Sequence, residues 1–77
     1  MKCTSEQIIE LLVSSFPRFG DIDMDETTKF QEIGLDSIES LKFSKIVKTR
    51  YEIKIKYSEL GDIITIQDMA DLVQSKT

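Results

Sequence analysis

Three times in this chain an oxygen-bearing side chain stands three positions ahead of a Gln, Glu or Asp at the head of an apolar stretch: Thr4 before Gln7, Asp36 before Glu39, Thr65 before Asp68. At that spacing the first side chain accepts from a free backbone N–H of the opening turn, and the second reaches back to the N–H of the cap. Each pair therefore predicts a helix start. Behind Thr4, the residues Ile8, Ile9, Leu12, Val13 and Phe16 recur at helical spacing, and Pro17 ends the helix because the residue before a proline is pushed out of the helical region. Behind Asp36, a second helix runs to about Tyr51 with Phe43, Ile46, Val47 and Tyr51 gathered on one side. The last helix starts at Thr65 and buries Met69, Leu72 and Val73, with Ile64 placed to staple against Met69.

Residues 18–35 show no sustained period and hold Gly20, Gly34 and a cluster of acids. Loops longer than about 12–15 residues are usually functional or disordered. Ile22, Met24, Phe30, Ile33 and Leu35 are frequent enough to predict an ordered loop pinned onto the core. The run Ile53-Lys54-Ile55-Lys56-Tyr57 alternates as a strand does, yet no second strand exists to take up its hydrogen bonds. It is expected to be an extended linker anchored by Ile53 and Ile55, followed by one short helical turn over Ser58 to Gly61. The fold class is therefore all-α: a four-helix bundle with a long loop between helices 1 and 2 and a short third helix.

With 77 residues, one Cys and no His, the chain is expected to be a single domain over residues 1–77, freestanding, and not an enzyme. One cysteine makes no internal disulfide and cannot complete a tetrahedral zinc site. Cys3 is placed to staple against Ile8 and suits a reducing compartment. Glu10 interrupts the longest apolar stretch, between Ile8-Ile9 and Leu11 to Val13, which excludes a membrane-spanning helix or a signal-peptide core. A cytoplasmic protein is expected. The net charge of −4 conceals an asymmetry: residues 37–56 hold six bases and two acids, a local +4. Overall acidity argues against nucleic-acid binding, while the basic strip suits a specific acidic partner.

Catalytic parts are scarce. Nucleophilic catalysis by Ser or Cys needs a positioned base, and the usual one is missing. Helix capping explains the carboxylates of Asp36 and Glu39 more economically than acid–base work. The run Asp21-Ile22-Asp23-Met24-Asp25, with Glu32 beyond it, partly copies a calcium loop, but Glu26 replaces the turn glycine and Lys29 a ligand position; an acidic, solvated loop is the better reading. Gly34-Leu35-Asp36-Ser37-Ile38 differs from these. It puts a serine hydroxyl in the first turn of a helix after a glycine-containing loop, where free N–H groups and the helix dipole favour a phosphate.

Over nearly its whole length the chain resembles the acyl carrier proteins and related carrier domains. The likeness rests on Phe30-Gln31-Glu32-Ile33-Gly34-Leu35-Asp36-Ser37-Ile38-Glu39-Ser40-Leu41, on Ile63-Ile64-Thr65-Ile66-Gln67-Asp68-Met69-Ala70, and on the order of the helices. The resemblance implies that Ser37 is the attachment point for 4'-phosphopantetheine, transferred from coenzyme A by a separate phosphopantetheinyl transferase with magnesium. It implies that Asp36 caps the helix and presents the serine, and that acyl-loading and acyl-processing enzymes do the chemistry. Ile38, Leu41, Lys42, Lys45 and Lys48 become candidates for partner recognition, and Phe43, Ile46, Val47, Ile63 and Met69 for an acyl cavity. A monomer that binds neither nucleic acid nor membrane is implied.

One departure matters. Fatty-acid carriers of this family usually bear acids along the second helix, whereas here lysines stand there, and Gly-Leu-Asp-Ser looks more like polyketide, D-alanyl or other specialised carriers. A specialised, polyketide-like pathway is expected. The alternatives are an aminoacyl, peptidyl or D-alanyl carrier and, in another class, an unmodified helical protein–protein adaptor.

Overall fold

A computed structural model of the chain describes residues 3–77. Among these, the order is α1 (Ser5–Ser15), a 3-10 helix (Pro17–Asp21), α2 (Ser37–Tyr51), α3 (Tyr57–Leu60) and α4 (Ile66–Lys76). The three caps form as their spacing dictates. Thr4 Oγ1 accepts from Gln7 N–H at 3.3 Å while Gln7 Oε1 accepts from Thr4 N–H at 3.1 Å. Asp36 accepts from Glu39 N–H at 2.8 Å, and Thr65 from Asp68 N–H at 3.1 Å. No helix of the described residues is long and apolar enough to cross a membrane.

After α1 the chain tightens rather than opening into a loop. Pro17, which has no N–H to lose, begins the 3-10 helix, and Phe19 turns inward to 1% exposure. This short helix is absent from the sequence expectation, as is Phe19 as a core residue. The remainder of the loop is ordered, but Ile22 does not pin it and stays exposed; Phe30 and Leu35 do. The Asp25 carboxylate accepts from Thr27 N–H at 2.8 Å and from the Thr27 hydroxyl at 2.7 Å, folding the acidic stretch on itself.

The loop is fastened to the head of α4. Ile66 N–H donates to the Thr28 carbonyl and Gln67 N–H to the Glu26 carbonyl, each at 3.0 Å, and Phe30 N–H donates to the Ile64 carbonyl at 3.0 Å. The first two use donors that a helix start leaves without intrahelical partners, and in the third the loop is the donor, so loop and helix head satisfy each other. Ile64 is held through its backbone and its side chain is left exposed, which replaces the expected staple against Met69.

The core is Ile8 and Leu12 of α1, Phe19, Phe43 and Val47 of α2, and Ile66, Met69, Ala70 and Val73 of α4, with α1 packed against both α2 and α4. Ile46 and Tyr51, expected on the core face of α2, are half-buried, and Ser44 is buried instead, its hydroxyl donating to the Leu41 carbonyl at 2.8 Å. Cys3 and Ile8 are both buried, as the staple reading requires. Residues 53–56 are extended without a strand partner, and Ile55 is buried. The short helix begins at Tyr57, one residue before the expected start, because the Glu59 carboxylate accepts from Lys56 N–H at 2.8 Å.

Gly34 adopts φ +86°, where a Cβ would meet no neighbour within 4 Å. Gly34→Ala is therefore expected to destabilise by about 1–2 kcal/mol through backbone conformation alone, whereas Gly61→Ala, at φ −66°, should not destabilise; denaturant melts of both variants check this. A second expectation concerns pH. The carboxyl of Asp68 is held below its usual range chiefly by accepting from the N–H groups of Thr65 and Ile64. A carboxyl depressed in the folded state stabilises fully above its unfolded value and loses that contribution as pH falls through the folded one. Thermal midpoints should be level above about pH 5 and fall below about pH 4, with a shallower fall in Asp68→Asn.

Candidate functional site

Ser37 is the first residue of α2, and its position follows from its neighbours. Gly34 turns the chain through the left-handed region, Leu35 is drawn into the core, and Asp36, extended at φ −81°, ψ 179°, caps the helix. Ser37 is thereby left exposed, its hydroxyl without a hydrogen-bond partner among the described residues. Asp36 is committed to Glu39 N–H, and the Asp36 carbonyl takes Ser40 N–H at 2.8 Å. The N–H groups of Ser37 and Ile38 are left open, which is the opposite of α4, where the loop carbonyls cover the corresponding donors. Open donors at the positive end of a 15-residue helix suit a phosphate esterified to the serine. No base touches the hydroxyl, so its activation has to come from an enzyme that acts on it.

A residue that the sequence reading passed over braces this helix start. Arg18, on the 3-10 helix, pairs through both terminal nitrogens with both carboxylate oxygens of Glu39 and lies over the Phe19 ring, 4.5 Å from its centroid. Such a two-pronged pair fixes direction as well as distance. Arg18 holds the Glu39 carboxyl below its usual range, and Glu39 raises the guanidinium in return. The pair joins residues 21 positions apart, so no local pattern announces it. The available signal is that Arg18 is the lone base between Cys3 and Thr28.

Beside Ser37 opens a groove of about 490 Å³. Its mouth is Ser37, Ser40, Leu41 and Tyr57, and its interior includes Phe43, Leu60, Ile63 and Met69. Of the five cavity candidates, Phe43, Ile63 and Met69 line it, whereas Ile46 and Val47 do not. Val47 lies one turn farther along α2 than Phe43, about 5–6 Å, and is enclosed in the core at 0% exposure. Ile46 is half-buried away from the groove. Leu60 and Tyr57 were missed because only the placement of α3 brings them across from α2. Among the recognition candidates Ile38, Leu41, Lys42 and Lys45 are exposed, and Lys48 is half-buried.

A second depression, of about 560 Å³, lies where Cys3 and Gln7 meet Arg50 and Tyr51 at the other end of α2. Burial pushes the Cys3 thiol up, and burial with the Cys3 contact pushes Tyr51 up to about 12, so both are uncharged at neutral pH and neither is activated. Among the described residues no group of three or more His, Cys, Asp or Glu is placed to hold a metal ion.

The family described as the phosphopantetheine attachment site matches residues 6–73. Acyl carrier protein 4, chloroplastic, of Arabidopsis thaliana is 22% identical over 71 residues, covering 92% of this chain and 52% of that protein. The chain thus spans about half the length of that curated relative. An acyl carrier protein from Thermotoga maritima superposes with a TM-score of 0.77 at 24% identity, covering 94% of this chain and 88% of its own. The hexanoyl form of the acyl carrier protein from the actinorhodin polyketide synthase of Streptomyces coelicolor gives 0.79 at 22% identity, covering 99% and 92%. At these identities the structural likeness shows the fold: a helical bundle with a long loop between its first two main helices.

Arg18→Gln and Glu39→Gln are each expected to lower the thermal midpoint, and the double variant should fall no further than the lower single one. Fully additive losses would show that the two side chains act independently.

Proposed function

Because this chain belongs to the phosphopantetheine attachment-site family, we propose that it is an acyl carrier domain, that Ser37 is its attachment residue and that it shuttles acyl groups between partner enzymes. The observation that supports this most is an exposed serine hydroxyl with open N–H groups beside it, at the mouth of an apolar groove. When bound, 4'-phosphopantetheine supplies a terminal thiol that holds an acyl group as a thioester. A phosphopantetheinyl transferase joins Ser37 Oγ to the phosphorus of coenzyme A that bears the pantetheine, breaks the pyrophosphate bond so that adenosine 3',5'-bisphosphate leaves with the bridging oxygen, and takes up the serine proton. The open N–H groups of Ser37 and Ile38 favour the phosphodiester, and Asp36 keeps the helix start in place by capping it.

The chain's own part is to hold and present rather than to catalyse. Its unactivated hydroxyl and uncharged buried thiol support that division: Cys3 does not compete with the thiol of the arm. The apolar groove favours an acyl over an aminoacyl cargo, and the lysines of α2 favour a specialised, polyketide-like pathway with its own loading and processing enzymes. Residues 1–77 act in this reading as one carrier domain, monomeric and cytoplasmic.

Incubation with coenzyme A, magnesium and a broad-specificity transferase, followed by intact-mass measurement, is expected to give a single phosphopantetheine adduct that Ser37→Ala abolishes. Folded protein that acquires no adduct would favour an unmodified adaptor, whereas a Ser37→Ala variant that still acquires one would move the attachment to another residue.

A further inference from the structure

The rim around Ser37 is apolar and basic, and the structure shows why its acids do not offset its lysines. Ile38 is 66% exposed, Leu41 40% and Tyr57 82%, and Leu41 and Tyr57 line the same groove as Ser37. Large apolar side chains left this open beside an exposed serine at a helix start mark a contact surface rather than unfinished packing. Lys42 and Lys45 stand at i+4 and i+7 from Ile38 on the same helix face, and Lys56 directly precedes Tyr57; all three are exposed.

The carboxylates of the same region are engaged internally. Glu39 is taken by Arg18 from the 3-10 helix, and Glu59 by Lys76 from the end of α4 at 3.0 Å. Asp36 is turned to its own helix as the cap. Among the described residues Lys42, Lys45 and Lys56 have no such partner, and Asp62, beyond α3, is the exposed acid left nearby. Outside those two ion pairs, Lys42, Lys45 and Lys56 stand against Asp36 and Asp62, three charges against two, so the rim is locally basic although the whole chain carries −4.

We infer that this mouth docks onto an acidic surface of the enzymes that act at Ser37 or its arm, with Ile38, Leu41 and Tyr57 as apolar anchors; the inference rests on the Ser37 assignment above. Exposed charges of one sign steer the opposite sign and repel their own, and desolvated aromatic or aliphatic side chains supply most of the hold. A partner that offers a basic patch to this helix meets Lys42 and Lys45 head-on.

The test compares two forms of one broad-specificity phosphopantetheinyl transferase, with either basic or glutamate residues on its carrier-docking face. Each acts on wild-type protein, on Lys42→Glu plus Lys45→Glu, and on Tyr57→Ser, at low and high salt. Circular dichroism verifies the fold of each variant. For wild type, KM is expected to be on the order of tenfold lower with the acidic form, with kcat little changed. The double charge reversal should invert that preference, high salt should shrink it, and Tyr57→Ser should raise KM for both forms. Equal KM for the two forms, or a preference for the basic form, would overturn the inference while leaving the Ser37 assignment standing. Absence of any adduct from either form on folded protein would overturn both.

Discussion

Two backbone hydrogen bonds, from Ile66 N–H to the Thr28 carbonyl and from Gln67 N–H to the Glu26 carbonyl, decide where the long loop lies. A small domain can afford few segments without internal hydrogen bonding, because every ordered residue costs backbone entropy and every buried polar group left unpaired costs more. Here one element's surplus meets another's. The head of α4 has donors without intrahelical acceptors, and the loop has carbonyls without a ladder. Once the loop is fixed at that point, Phe30 and Leu35 reach the core, and the left-handed turn at Gly34 delivers Asp36 to the start of α2.

The same accounting separates a structural helix start from one available for chemistry. Both α2 and α4 open with capping boxes, so from sequence they look equivalent. What differs is what lies in front of them. The loop covers the first donors of α4 and leaves those of α2 facing outward beside an exposed hydroxyl. The proposed attachment site arises here from withholding a partner.

Most of the fold is legible in the sequence because the controlling interactions are short-range. Thr4 with Gln7, Asp36 with Glu39 and Thr65 with Asp68 act over three residues, and Pro17 acts on its neighbour, so helix starts and the first stop can be read directly. Ser37 stands out for the same reason: a serine behind a glycine-containing loop and a capping aspartate is a local pattern. The pairing of Arg18 with Glu39, the inward turn of Phe19 and the lining of one groove by both Leu41 and Tyr57 depend on how distant segments pack. Helical periodicity places Phe43 and Val47 on one face of α2, one turn apart; which of the two lines the groove and which is enclosed in the core depends on what packs beside each.

The residues at the site differ in how freely they can change. Glu39 braces the helix start three ways: its N–H donates to Asp36, its carboxylate faces the Asp36 N–H at 3.5 Å, and it holds Arg18. A substitution there disturbs the cap, the 3-10 helix and the presentation of Ser37 together, and such coupled losses do not add simply. Lys42 and Lys45 are bound to nothing of this kind, and exposed substitutions away from caps and networks usually shift stability by about 0.5 kcal/mol or less. The groups that fix Ser37 in place are thus constrained by folding, while those that set the charge around it are nearly free of that constraint. If Ser37 carries the arm as proposed, a carrier built this way can change which partner surface it fits without rebuilding the bundle that holds that serine.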